Sequence, residues 1–215
     1  MISFGLCVKA GWCKRDEEEL LEVCLGTFKQ VPDHQVVIVK DDEKLGKKLN
    51  LITERSDHET ICFIRDYNFI YPGWWTNWQR FGFDWDVGMN CILNKDKTRF
   101  RDWVAWDDPQ FPPAWTQNDK PWPTGKLRPG RPKCVPYEYN RTQYCYVSGM
   151  YFMAKKRFME EVPFNPDLDW GESEDVEWSD RARERWTYKM NQNSFTGMQI
   201  QKDPIIPFVK ECIYD

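Results

Sequence analysis

The sequence predicts an α/β domain with a mixed, mostly parallel central sheet covered by helices on both faces and interrupted by a long Trp/Pro-rich insertion. Three observations carry this. Residues 2–64 alternate short apolar runs with helical periodicity, strand–helix–strand–helix–strand, an order that needs crossover connections. Residues 70–122 then hold eight of the twelve tryptophans, and residues 109–136 eight of the fourteen prolines. The longest apolar runs, such as Val36–Val39, last four or five residues, against about 20 for a membrane span.

The elements follow in order. Ile2–Val8 reads as a buried strand, followed by the loop Lys9–Arg15. Asp16–Phe28 carries Leu20, Leu21, Cys24, Leu25 and Phe28 on one helical face. Gln35–Val39 is a second strand ending in Lys40-Asp41-Asp42, Leu45–Thr53 a helix, and Thr60–Ile64 a third strand ending in Arg65-Asp66-Tyr67-Asn68. A parallel sheet binds ligands outside the carboxyl ends of its strands, which gathers Lys9–Arg15, Asp41, Asp42 and Asp66–Asn68 around one crevice. The segment Pro121–Pro132 excludes regular helix or central strand and reads as a long loop or lid. Regular structure resumes at Tyr144–Ala154, with helices expected over Lys155–Glu161 and from Asp169 to about Met190.

Composition narrows the function. Thirty basic against thirty-four acidic residues give a net charge of −4, which argues against nucleic acid as a partner. The eight cysteines are scattered without CxxC spacing and the chain has two histidines, a poor basis for zinc. No secretion signal opens the sequence, so these thiols read as reduced and mostly buried, and the setting as cytoplasmic. GxGxxG, GxxxxGK[ST] and GxSxG are all absent.

Three constellations carry chemistry. Asp66-Tyr67-Asn68 after a strand offers oxygen ligands of the kind that hold Mg²⁺ or Mn²⁺, or else a polar turn. Asp84-Trp85-Asp86 is a rival with no obvious strand before it. In Trp170-Gly171-Glu172-Ser173-Glu174-Asp175, a bulky ring and a hinge precede three acids. Asp169 and Glu172 have capping-box spacing, and a carboxylate held there could take a proton from an attacking hydroxyl. Ordinary acidic decoration of a helix start is the alternative. Trp74, Trp75, Trp78, Trp85, Trp103, Trp106, Trp115 and Trp122 could offer flat faces to sugar rings, although any single Trp is first a core residue.

Together these residues resemble the GT-A nucleotide-sugar glycosyltransferases. The order is strand, Lys40-Asp41-Asp42, Gly46-Lys47-Lys48-Leu49-Asn50, strand, Asp66-x-Asn68, Pro72-Gly73-Trp74-Trp75. The later Tyr146–Phe158 and Trp170–Asp175 resemble the acceptor side of the inverting galactosyltransferase-like branch, where a Trp-Gly-x-x-Glu-Asp motif supplies the base. More narrowly, the chain is similar to amino-terminal domains of chlorella-virus glycosyltransferases that build capsid glycans. The expected organisation is one domain, with a nucleotide half at 1–72, the insert at 73–143 and an acceptor half at 144–215, cut from a longer protein.

The resemblance implies a nucleotide-sugar site of Val8, Lys9, Ala10, Gly11, Trp12, Asp41, Asp42, Lys47, Asn50, Arg65, Asp66 and Tyr67. Asp66 and Asn68 would hold Mn²⁺ or Mg²⁺ on the diphosphate. Asp175 would be the base, helped by Glu174 and Glu172, with Trp74, Trp75, Gly149 and Trp170 on the acceptor. It also implies a UDP-sugar donor and a glycan acceptor, for a viral chain an N-glycan of the capsid protein. Two departures weaken the implied metal site: Asn68 stands for a second Asp, and no His follows Asp175. A retaining transferase and a non-catalytic sugar-binding module remain the alternatives.

Overall fold

The computed structural model describes residues 1–8, 17–40, 43–110 and 132–203. The strands are β1 (Ile2–Cys7), β2 (His34–Val39), β3 (Thr60–Ile64), β4 (Asn68–Ile70), β5 (Val87–Leu93), β6 (Val104–Ala105), β7 (Lys133–Cys134), β8 (Cys145–Tyr146), β9 (Tyr151–Lys155) and β10 (Tyr188–Met198). The helices are α1 (Glu17–Phe28), α2 (Leu45–Arg55), α3 (Trp74–Phe81), α4 (Lys156–Glu161) and α5 (Glu174–Ala182). Among the described residues no helix is long and apolar enough to cross a membrane.

The main sheet has seven strands in the order β2-β1-β3-β9-β5-β10-β4, and β7-β6-β8 form a small second sheet. The pairs β1–β2, β1–β3 and β5–β10 are parallel, while β3–β9, β5–β9 and β4–β10 are antiparallel. The sheet is mixed, as expected, but with three parallel and three antiparallel pairs it is not mostly parallel.

Both faces are covered, so β1 and β3 are buried at every residue. On one face Phe4 stacks on Phe28 of α1 at 3.9 Å and meets Trp74 of α3 at 5.7 Å. On the other, a side chain at Gly5 would overlap Ile52 of α2, and Phe63 stacks on Phe152, which leans on Trp178 of α5. Cys24, Cys62, Cys91, Cys134 and Cys145 are buried, unbridged thiols.

Two expectations are corrected here. The helix expected from Asp169 to about Met190 is much shorter: α5 ends at Ala182, and residues 188–198 are a strand between β5 and β4. The stretch taken as an insert also contributes α3 and β5 to the main layers. Trp74, Trp75, Trp78, Trp85, Trp103 and Trp106 are all buried in this packing, which removes them as a sugar platform. Trp115 and Trp122 lie outside the described residues.

Register fixes the functional edge. Ile64, at the carboxyl end of β3, pairs with Tyr151, the first residue of β9. The turn Ser148-Gly149-Met150 therefore lies at the same edge as the ends of β1 and β3. Val87 pairs with Ala154, which pairs with Ile61 near the start of β3, so Asp84 and Asp86 lie at the opposite edge. Asp86 there accepts the Thr187 amide at 2.8 Å, a structural contact.

Candidate active site

The chain leaves β3 at Arg65, and Arg65 organises the site. Its Nε donates to the Gly149 carbonyl at 2.6 Å, and its Nη2 reaches Glu174 Oε1 at 3.3 Å. The guanidinium also lies 4.0 Å above the centre of the Trp170 ring. One buried cation thus ties the strand end, the β8–β9 turn and the start of α5 together.

The chain reaches α5 through two left-handed residues, Gly171 (φ 80°) and Ser173 (φ 63°). Ser173 sits in a conformation that a non-glycine residue adopts at a cost of about 1–2 kcal/mol. This path turns Glu174 and Asp175 inward. Asp175 Oδ2 accepts the Gly149 N–H at 2.9 Å, and Oδ1 accepts the Val176 N–H at 2.9 Å. Of roughly four carboxylate lone-pair sites, these two bonds leave room for an incoming hydroxyl proton. A Cβ at Gly149 would stand 2.9 Å from Asp175 Oδ2 and 3.2 Å from Glu174 Oε1. The space over Gly149 is therefore filled by the acids, and the glycine serves them rather than an acceptor sugar.

The electrostatics favour proton uptake. Burial, then the Asp175 charge, push Glu174 up to about 7 against the pull of Arg65. Burial also raises Asp175, opposed by the two amide bonds and by the Arg65 and Arg101 guanidiniums. Adjacent carboxylates with raised proton affinity at a strand-end crevice form an acid–base candidate.

Other expected residues fall elsewhere. Glu172 is exposed and accepts the Asp169 amide at 2.7 Å; it closes the loop before α5 and does not enter the site. The Asp169 carboxylate meanwhile accepts the Leu45 amide at 3.2 Å, at the start of α2. Asn50 places both ends of its amide on the Phe164 backbone, at 2.9 Å each, and Lys47 pairs with Glu43 on the surface. Neither faces the crevice; both are corrections forced by the helix phase. The neighbouring Lys48 does face it, buried with its Nζ 3.3 Å from the Val8 carbonyl. Sequence reasoning passed it over because the expected motif put the weight on Lys47 and Asn50. Lys9, Ala10, Gly11, Trp12, Asp41 and Asp42 lie outside the described residues.

The metal position splits. Asp66 is half-buried in the turn after Arg65. Asn68 is fully buried at the start of β4, its Nδ2 donating to the Met150 carbonyl at 2.8 Å and its Oδ1 enclosed without a hydrogen-bond partner. An enclosed amide does not reach a hydrated ion, so Asn68 is corrected to a structural residue. Among the described residues no three His, Cys, Asp or Glu side chains cluster as a metal site. Asp66 alone fits a hard cation that takes most of its ligands from phosphate and water.

No protein-family model matches the chain, and no curated protein does. Solved structures do match in fold. The S. aureus TarS fragment 1–349 in complex with UDP-GlcNAc superposes with a TM-score of 0.56 at 10% identity, covering 97% of this chain and 61% of that one. The UDP complex of the same fragment gives 0.56 at 10%, covering 92% and 60%. GalNAc-T7 with UDP, GalNAc and Mn²⁺ gives 0.51 at 12%, covering 94% and 45%. The chain has the GT-A fold. It spans about three-fifths of the TarS fragment. Arg65, Asp66, Gly149 and Asp175 gather at the edge formed by the carboxyl ends of β1 and β3.

Proposed function

We propose that this chain is a glycosyltransferase that moves a sugar from a UDP-sugar to a hydroxyl of a glycan, with inversion, using Asp175 as general base. The observation that carries this reading is the Glu174–Asp175 pair, Glu174 buried and Asp175 half-buried, raised in proton affinity and fixed by Gly149 and Arg65 at the strand-end edge. The UDP and UDP-GlcNAc bound by the TarS structures support the donor class. An N-glycan of a viral capsid is the acceptor that the sequence resemblance favours. Burial of the six described tryptophans of the belt weakens the case for a non-catalytic sugar-binding module.

In this reading the nucleoside lies toward β1 and β2, near Val8 and Lys48. The acceptor oxygen attacks the anomeric carbon as its proton passes to Asp175, and the bond to the β-phosphate oxygen breaks, releasing UDP with the electron pair. Arg65 keeps Glu174 and the Gly149 turn in place, so that the base is positioned before substrate arrives. Mn²⁺ or Mg²⁺ held by Asp66 would supply Lewis-acid relief of the charge on departing UDP.

The test is UDP release from UDP-GlcNAc, UDP-glucose and related donors by the wild type and by Asp175→Asn. Loss of a general base predicts a fall of about 10²–10⁴-fold in turnover with UDP affinity kept. The anomeric configuration of the product, read by NMR, separates inversion from retention. An Asp175→Asn protein with full turnover overturns the assignment.

A further inference from the structure

Lys202 lies just past β10, in a stretch to which the sequence reading gave no role. The structure fixes it unusually well for a lysine outside regular structure. Its backbone is gripped by the buried Asn94 amide: Lys202 N donates to Asn94 Oδ1 at 3.0 Å, and Asn94 Nδ2 donates to the Lys202 carbonyl at 2.9 Å. Three residues earlier in the same segment, at Gln199, the chain is pinned over the strand-end turn, where the Gln199 N–H donates to the Tyr67 carbonyl at 2.9 Å.

The side chain is fixed too. Nζ donates to Tyr67 Oη at 2.8 Å, lies 3.7 Å from Met150 Sδ and stands 4.6 Å from the Tyr67 ring centre. The Tyr67 hydroxyl in turn donates to Met150 Sδ at 2.9 Å. Tyr67 directly follows Asp66, and Met150 directly follows Gly149, whose amide holds the base. The ammonium thus rests against Tyr67 of the strand-end turn and Met150 of the turn whose Gly149 amide holds Asp175. Ordering a lysine with four rotatable bonds costs side-chain entropy that these contacts offset. Arg65 at this turn holds Glu174, Gly149 and Trp170.

We propose that Lys202 binds the β-phosphate of the donor and stabilises UDP as it leaves. The inference rests on the glycosyltransferase reading. Transfer breaks the bond between the anomeric carbon and the β-phosphate oxygen and leaves the electron pair on that oxygen, while the acceptor proton goes to Asp175. A positive donor helps most where that charge appears. The β-phosphate is the expected partner, rather than the nucleoside, because Met150, which Lys202 touches, directly follows Gly149, whose amide holds the base, whereas the nucleoside is read toward β1 and β2.

The experiment titrates UDP and UMP by calorimetry into the wild type, Lys202→Met, Lys202→Gln and Lys202→Arg, with melting curves to confirm folding. Loss of a charge-assisted bond predicts that Lys202→Met and Lys202→Gln weaken UDP by about tenfold or more while UMP stays within about twofold, and that Lys202→Arg recovers most of the loss. Donor turnover should fall by about 10²-fold in the Met and Gln variants. An unchanged UDP-to-UMP ratio in a folded variant overturns the proposal, and so does an equal loss of both ligands, which marks a structural lysine. A wild type that binds neither nucleotide overturns the glycosyltransferase reading itself, and this proposal with it.

Discussion

Gly149→Ala perturbs the base without touching its chemistry. The backbone at Gly149 is not in the left-handed region, so the substitution adds no conformational strain and acts through one methyl group. That methyl would stand 2.9 Å from Asp175 Oδ2 and 3.2 Å from Glu174 Oε1, inside the 3.4 Å at which ordinary contact begins. The Asp175 carboxylate must retreat by about half an ångström, stretching its 2.9 Å bond from the Gly149 amide. A hydrogen bond to a charged group contributes about 1.5–3 kcal/mol, so weakening it should cost on the order of 1–2 kcal/mol of stability. A misplacement approaching 1 Å costs about 10²-fold in rate, so donor turnover should drop by roughly 10- to 100-fold. UDP affinity should hold, because the methyl points at the acids and away from the nucleoside end of the crevice. The assay pairs UDP release with calorimetry of UDP and chemical denaturation. A Gly149→Ala enzyme with wild-type turnover would refute the idea that this contact places the base. So would one that loses UDP binding in parallel.

Two further outcomes can be stated. Glu174 is raised from 4.5 to about 7 in the folded chain, so the folded state holds this proton more tightly than the unfolded one. Its contribution is fully present below pH 4.5 and is lost as pH rises to about 7; it amounts to about 3 kcal/mol at most. Denaturation across that window should show stability falling with pH, and Glu174→Gln should flatten the fall; a pH-independent wild type would contradict it. Trp74 is wholly buried against Phe4 and Tyr151. Trp74→Phe should therefore destabilise by about 1–3 kcal/mol with UDP binding intact, whereas loss of ligand binding without loss of stability would restore the sugar-platform reading.

The first half of the fold was legible because each element has one clear periodicity: β1, β2 and β3 are short apolar runs, and α1 and α2 each show one apolar face. The second half hid for physical reasons. β10 carries Lys189, Asn191, Gln192, Asn193 and Ser194 and a register shift between Asn191 and Phe195, so neither apolar alternation nor a continuous apolar run marks it. The tryptophans misled in the other direction. Trp74 and Trp78 lie one helical turn apart on α3, and such spacing is the signature of a packed face rather than a sugar platform.

At the site, Arg65, Gly149, Glu174 and Asp175 came together because strand ends and an acidic helix start announce themselves in sequence. Asn68 could not be judged without knowing that a strand begins there and turns the side chain under Met150. Lys48 and Lys202 were missed because nothing local distinguishes them. One is set by the phase of α2, the other by a strand that the sequence did not reveal.

The account stands most directly on whether the strand-end crevice holds a uridine diphosphate. Calorimetric titration of UDP into the wild type, with Mn²⁺ present and then with chelator, measures this. The account predicts saturable binding of one UDP per chain, tighter with Mn²⁺ than in chelator. No saturable heat under either condition would contradict it.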